Sequence, residues 1–193
     1  MKFRELLLIC AALLSFSAFS AFAAEEVTVQ FNYEGNHGVD LSKIRGSFRV
    51  AEFTDDRGQD NPRLITASDL GNSAAAGGYQ AQAPVTEIIQ DAFRQGFASG
   101  GAELVEADEA MSISGKLLSS EAQIVERDGV EMIQLTWRVN VQLRKGDRNI
   151  WQITLFGRGR TPAADGMTAT VHAALNRLIN ELLGDDYFLQ EIL

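Results

Sequence analysis

From Val130 to Arg144 the chain settles into a strict alternation: Ile133, Leu135, Trp137, Val139, Val141 and Leu143 interleave with Gln134, Thr136, Arg138, Asn140, Gln142 and Arg144. A period of two predicts a strand with one face on a core and the other toward water. Trp151, Ile153, Leu155, Gly157 and Gly159 continue the pattern after a turn at Lys145 to Arg148, and Met111 to Glu126 precedes it through Arg127-Asp128-Gly129. Together the three segments predict an antiparallel meander. Keeping both apolar sets of the second hairpin on one face requires an odd-length loop. The resulting register sets Val141 opposite Ile153, Val139 opposite Leu155 and Trp137 opposite Gly157. A tryptophan then lies over a cross-strand glycine, covering its missing side chain. In the first hairpin Ile113 and Leu117 are out of phase with Ala122 and Ile124, which predicts a β-bulge at Leu117-Leu118.

Two other stretches follow the helical period. Val85, Ile88, Ile89, Ala92, Phe93 and Phe97 fall on one helix face, with Pro84 suited to the first turn and Gly100-Gly101 as the stop. Met167, Val171, Ala174, Leu175, Leu178, Ile179, Leu182 and Leu183 make a second stripe, opened by Asp165 as N-cap and closed by Gly184. Nearer the N-terminus, Val27 to Phe31 and Ser47 to Phe53 read as strands, separated by the polar stretch Glu34 to Lys43. Residues 55–62 are dense in turn formers and predict a loop, and the small, uncharged residues 71–78 predict a flexible connector. The implied fold is α+β: an antiparallel sheet, built from the meander plus the N-terminal strands, with two helices packed on one face. The apolar tail Tyr187 to Leu193 has Phe188, Leu189, Ile192 and Leu193 at helical spacing. It is read as folding back over its own core, with docking into a partner groove as the alternative.

The first residues add an address. Met1-Lys2-Phe3-Arg4-Glu5 is a short basic start, Leu6 to Phe22 is apolar or small, and the run closes on Ala21-Phe22-Ala23. This is the pattern of an export signal, so residues 1–23 are expected to be cleaved and residues 24–193 to form a single periplasmic domain. No second apolar run follows that is long enough to span a membrane. Cys10, the one cysteine, sits inside the apolar core after Ile9 rather than behind it after a small residue. Lipid anchoring at the outer membrane is accordingly not expected. Residues 24–193 hold 15 basic and 25 acidic residues, a net charge of −10. That balance argues against general nucleic-acid binding, which needs cations to displace counterions from phosphates.

Enzymatic signatures are absent: no phosphate loop, no Gly-x-Ser-x-Gly elbow, no His-Glu-x-x-His. His37 falls in a loop and His172 at the flank of the second helix stripe, with no pairing indicated. Asp55, Asp56 and Asp60 do not follow calcium-loop spacing, with Arg57 among them, and an internal Asp–Arg contact is expected instead. No catalytic, cofactor or metal residue is assigned. One constellation stands out. The derived register places Arg138, Arg144, Arg158 and Arg160 on the outward face of the meander, with Phe156 opposite Arg138. Residues 127–160 carry seven basic against three acidic residues, +4 within a chain of −10. Such a face suits an anionic envelope component or an acidic protein surface; solubilising an open sheet face is the plainer role.

The strand ending in Phe53, then Asp55-Asp56-Arg57 and Asn61-Pro62, the helix Val85 to Phe97 running into Gly100-Gly101-Ala102, the meander and the terminal helix together resemble the YajG-like family of bacterial envelope lipoproteins. The likeness covers Ser47 to Asp186. It implies an α+β envelope domain with no assigned enzymatic activity. Similar layouts occur in accessory lipoproteins of envelope transporters and in lipoprotein activators of cell-wall synthases, which work by contacting partners. The chain departs from all of these in lacking a correctly placed acylation cysteine. The expected function is therefore a non-enzymatic envelope accessory protein that binds another envelope protein, glycan or lipid assembly. A periplasmic carrier of a small amphiphile is the alternative.

Overall fold

A computed structural model describes residues 23–35 and 37–193; the expected signal up to Phe22, with Cys10, lies outside them. The long strands β5 (Met111–Arg127), β6 (Val130–Lys145) and β7 (Arg148–Pro162) form the meander. Asp128 and Gly129 both take positive φ in the two-residue turn between β5 and β6, the geometry that matches strand twist. The pairings Val141–Ile153, Val139–Leu155 and Trp137–Gly157 are those expected, and Arg138 faces Phe156. The bulge is also where the phase change puts it: Leu117 pairs with Val139 and Ser119 with Arg138, leaving Leu118 unpaired.

The loop parity is not as expected. The β6–β7 turn has the even length of two, Gly146-Asp147, and the odd residue is Ile150, skipped between the pairs Leu143–Trp151 and Arg144–Asn149. A tight turn led by Gly146 at φ 56° is kept, and the phase slip moves into the strand as a second bulge.

The strand β2 (Phe48–Asp55) joins the meander beside β5 and runs parallel to it, giving the order β2-β5-β6-β7. The reason is α1 (Val85–Ser99), which lies between them in sequence and carries the chain back so that β5 starts at the same end as β2. The N-terminal strand is not where its pattern puts it, since it shares only Val27 with the expected Val27 to Phe31. Only β1 (Glu25–Val27) pairs, in a separate three-stranded sheet with β4 (Tyr79–Ala81) and β3 (Leu64–Thr66). Val29 to Tyr33 continue as an extended strap whose backbone bonds go to side chains. Val29 N–H donates to Gln82 Oε1 at 2.8 Å, and Gln82 Nε2 donates back to the Val29 carbonyl at 2.9 Å. Gln95 repeats the arrangement, accepting from Tyr33 N–H at 2.8 Å and donating to the Phe31 carbonyl at 3.0 Å.

Residues 71–78 are folded rather than a free connector. Ser73–Ala75 form a 3-10 turn capped by Asn72, and Ala75 is fully buried. Small side chains hide such an element because they carry no periodicity.

α1 and α2 (Gly166–Leu183) lie on the inner face of the four-stranded sheet. They meet at Gly96, where an added Cβ would stand 2.6 Å from Ile179 Cγ2. On β7, Gly157 and Gly159 lie under α2, where added methyls would meet Leu178 and the Thr170 carbonyl. The space opposite Trp137 is thus filled by helix, while Trp137 Nε1 donates to Ser120 Oγ at 2.7 Å. Asp165 precedes α2 but makes no side-chain cap; the short 3-10 turn Ala163–Asp165 leads in instead.

The tail forms α3 (Asp186–Ile192), capped by Asp185. Phe188 and Ile192 are fully buried, and Phe188 packs on Trp151 (ring centroids 4.9 Å) and Phe97 (6.1 Å). Folding back is the outcome here, as expected, and the Arg45 N–H donates to the Ile192 carbonyl at 2.9 Å.

Candidate functional site

Even-numbered residues of β6 point away from the helices, as do Gln152, Thr154, Phe156, Arg158 and Arg160 of β7. Their outward face divides in two. Toward the β6–β7 turn lies a network of amides and hydroxyls: Asn140 Nδ2 donates to Thr154 Oγ1 at 3.2 Å, and Gln152 Nε2 donates to Asn140 Oδ1 at 2.9 Å. Beyond it lies the cationic half. The Arg138 guanidinium carbon stands 6.0 Å from the centroid of the Phe156 ring, within cation–π reach, and Phe156 is 45% exposed. Arg158 and Arg160 pair with Thr136 and Gln134 in the same register, and Arg160 Nε donates to Gln134 Oε1 at 3.1 Å.

Arg138, Phe156, Arg158 and Arg160 are therefore brought together, and all four are exposed. Arg144 is not with them. It lies six residues along β6 from Arg138, about 20 Å at strand rise, and its Nη2 donates to the Asp147 carbonyl at 3.2 Å in the turn. Among the described residues none of the four arginines forms an ion pair, although Glu121 stands opposite Thr136 on the same face. β7 is an edge strand, and its Phe156 N–H is occupied by Glu181 Oε2 from α2 at 3.0 Å. The carboxylate closes the edge at the point where the aromatic sits.

The acidic loop takes the structural role expected of it. Arg57 is 2% exposed at its side chain and grips Asp55 with two bonds, Nε to Oδ1 at 2.8 Å and Nη2 to Oδ2 at 2.5 Å, while Nη1 donates to the Leu64 carbonyl. The guanidinium holds the Asp55 carboxyl below the usual range. Asp56 pairs with Lys116 at 3.5 Å. Among the described residues no group of three or more His, Cys, Asp or Glu is placed to hold a metal ion. His37 is structural as well: its Nε2 lies 3.2 Å from both the Gly96 carbonyl and Ser99 Oγ, and its ring stacks on Tyr33. No helix among the described residues is long and apolar enough to cross a membrane.

No family model and no curated protein matches the chain. Solved structures resemble it in fold. A Xanthomonas campestris protein of the DUF330 family is 16% identical, with a TM-score of 0.53 over 83% of this chain and 90% of that one. A hypothetical protein from Chlamydia trachomatis is 10% identical, with a TM-score of 0.45 over 72% and 94% of the two chains. A minor lipoprotein from Acinetobacter baumannii is 10% identical, with a TM-score of 0.41 over 55% and 87%. The first of these likenesses establishes a shared α+β architecture.

Proposed function

We propose that this is a non-enzymatic accessory protein of the bacterial envelope, exported to the periplasm through the signal in residues 1–23, that binds another envelope component through the outer face of its sheet. The observation that carries this reading is the cluster of Arg138, Phe156, Arg158 and Arg160: an exposed aromatic with a guanidinium over it, beside arginines that form no ion pair among the described residues. A ring that is half-exposed contributes contact area at low entropic cost, and adjacent arginines supply attraction for an anionic partner. Arg144, about 20 Å away at strand rise, would belong only to a partner that also covers the amide network. The resemblance to the YajG-like family supports the same assignment, since similar layouts occur in envelope lipoproteins that work by contacting partners.

Affinity capture from envelope extract, with protein and lipid both identified, tests the proposal. Arg138→Glu with Arg158→Glu is expected to abolish capture of the specific partner while leaving the thermal melt unchanged. Undiminished capture by that variant refutes the face as the binding surface. The carrier alternative requires an apolar cavity, and stoichiometric co-purifying lipid would favour it over the accessory role.

A further inference from the structure

On the side of the molecule away from that face, α2 and the strap flank an open polar depression of about 450 Å³. His172, Asn176 and Asn180 are spaced four apart and so share one side of the helix. They form one wall, and Phe31 and Asn32 of the strap, with Glu34 just beyond it, line the other. No lysine or arginine lines the cleft. Tyr33 Oη donates to Asn180 Oδ1 at 3.0 Å, which fixes the amide through its oxygen and leaves Nδ2 without a protein partner among the described residues. The Asn176 and Asn32 amides make no side-chain hydrogen bonds among the described residues. His172 packs edge-on against Phe31 at 5.6 Å, and its Nε2 is buried without a partner.

Such a wall sets the chemistry of an occupant. Each amide offers both donors and an acceptor, and Glu34 adds acceptors, a set that matches hydroxyls, which donate and accept at once. An anion would approach Glu34 with no cation to offset the repulsion. A hydrocarbon chain would desolvate several amides without replacing their hydrogen bonds. Phe31 supplies one apolar surface of ring size. The volume lies in the range of small-ligand sites. We propose that this cleft binds a neutral saccharide unit, through the amides of Asn32, Asn176 and Asn180 and the face of Phe31.

The site is separate from the outer sheet face, and the proposal does not depend on the partner-binding reading. The test is a titration of the ¹⁵N-labelled protein with chitobiose, with maltose and with inorganic phosphate, read on the side-chain amide signals of Asn176 and Asn180. Saturable shifts are expected with a Kd of about 1 mM for at least one sugar. Response to chitobiose alone assigns an N-acetylated glycan, and response to both assigns recognition by hydroxyls; either supports the site. Asn176→Ala and, independently, Asn32→Ala should weaken binding about tenfold, equivalent to about 1.4 kcal/mol, with the backbone spectrum elsewhere unchanged. Arg138→Glu with Arg158→Glu should leave the sugar titration unaltered. Absence of saturable shifts with both sugars, shifts undiminished in both alanine variants, or saturation by phosphate alone would overturn the proposal.

Discussion

Gly159→Ala is the sharpest test of how the sheet and helix fit. Gly159 lies on the inner face of β7, and a Cβ built there stands 2.1 Å from the Thr170 carbonyl oxygen and 2.7 Å from the Ala174 nitrogen. Both are backbone atoms of α2, so no rotamer change can relieve the overlap. Restoring ordinary contact at 3.4 Å moves that turn of helix by 3.4 − 2.1, about 1.3 Å. The shift lifts Val171, Ala174, Leu175 and Leu178, all buried, from their seats. Overpacking of this kind costs about 1–3 kcal/mol, and a rigid obstacle places it at the upper end. Removing a glycine from the unfolded chain returns about 0.4–1 kcal/mol. The net expectation is about 2 kcal/mol, a fall in Tm of roughly 4–8 °C for a domain of this size. Urea unfolding followed by fluorescence of Trp137 and Trp151 measures it. Gly157→Ala should cost less, because its backbone obstacle, the Ala174 carbonyl oxygen, stands at 2.9 Å rather than 2.1 Å and its nearest atom, Leu178 Cγ at 2.5 Å, belongs to a side chain. Arg158→Ala, between the two glycines and pointing outward, should stay within about 0.5 kcal/mol of the parent. If Gly159→Ala is equally silent, close helix–sheet contact is not what these glycines provide.

Other consequences are as direct. Arg57→Ala strands the Asp55 carboxylate, which is 17% exposed, and should cost about 3 kcal/mol or more in urea unfolding. Because the folded Asp55 is held below its ordinary 3.8, its contribution is complete above that pH and is lost as pH falls through the lowered value. Acid melts of Asp55→Asn should lack this loss, and a parallel acid limb in parent and variant would refute the assignment. Deleting Tyr187 to Leu193 removes the buried Phe188 and Ile192. At about 1.5–3 kcal/mol per large side chain it should lower Tm by roughly 10 °C; an unchanged melt would mean the helix docks elsewhere. Burial lowers the His172 pKa from 6.5, so the unfolded chain takes up a proton there first. Stability from this residue is unaffected above about pH 6.5, falls as pH drops toward the folded value and levels off below it. His172→Phe should flatten that decline between pH 7 and pH 5, and identical slopes would exclude it.

Strand register was the most legible part of the fold, since alternation across Ile133 to Arg144 fixes facing and the glycines and Trp137 fix alignment. The same arithmetic put Phe156 opposite Arg138, which is why the cationic half of the outer face was found. It also grouped Arg144 with them, because facing is encoded by parity while distance along the strand is not. β3 and β4 are three residues each, too short to display a period, and exist through pairing with each other and β1. The loop parity was solved by a bulge at Ile150, an alternative that gives the same facing as an odd loop. The cleft beside His172 was missed for a different reason. A row of polar residues at helical spacing is what any solvent face presents, and only the strap crossing above it makes a wall.

The two glutamines that hold the strap carry a consequence for how this protein can change. Ordinary strand pairing is immune to substitution, because every residue but proline brings the same backbone groups. Here the partner groups belong to Gln82 and Gln95, so a single codon change can erase a pairing that is elsewhere indelible. Each replacement would remove the two bonds that fix one half of the strap, leaving Val29 or Tyr33 held there by burial, while the hydrogen bonds of the four-stranded sheet stay in place. The wall of the cleft can thus drift, tighten or open over evolutionary time separately from the scaffold that supports it.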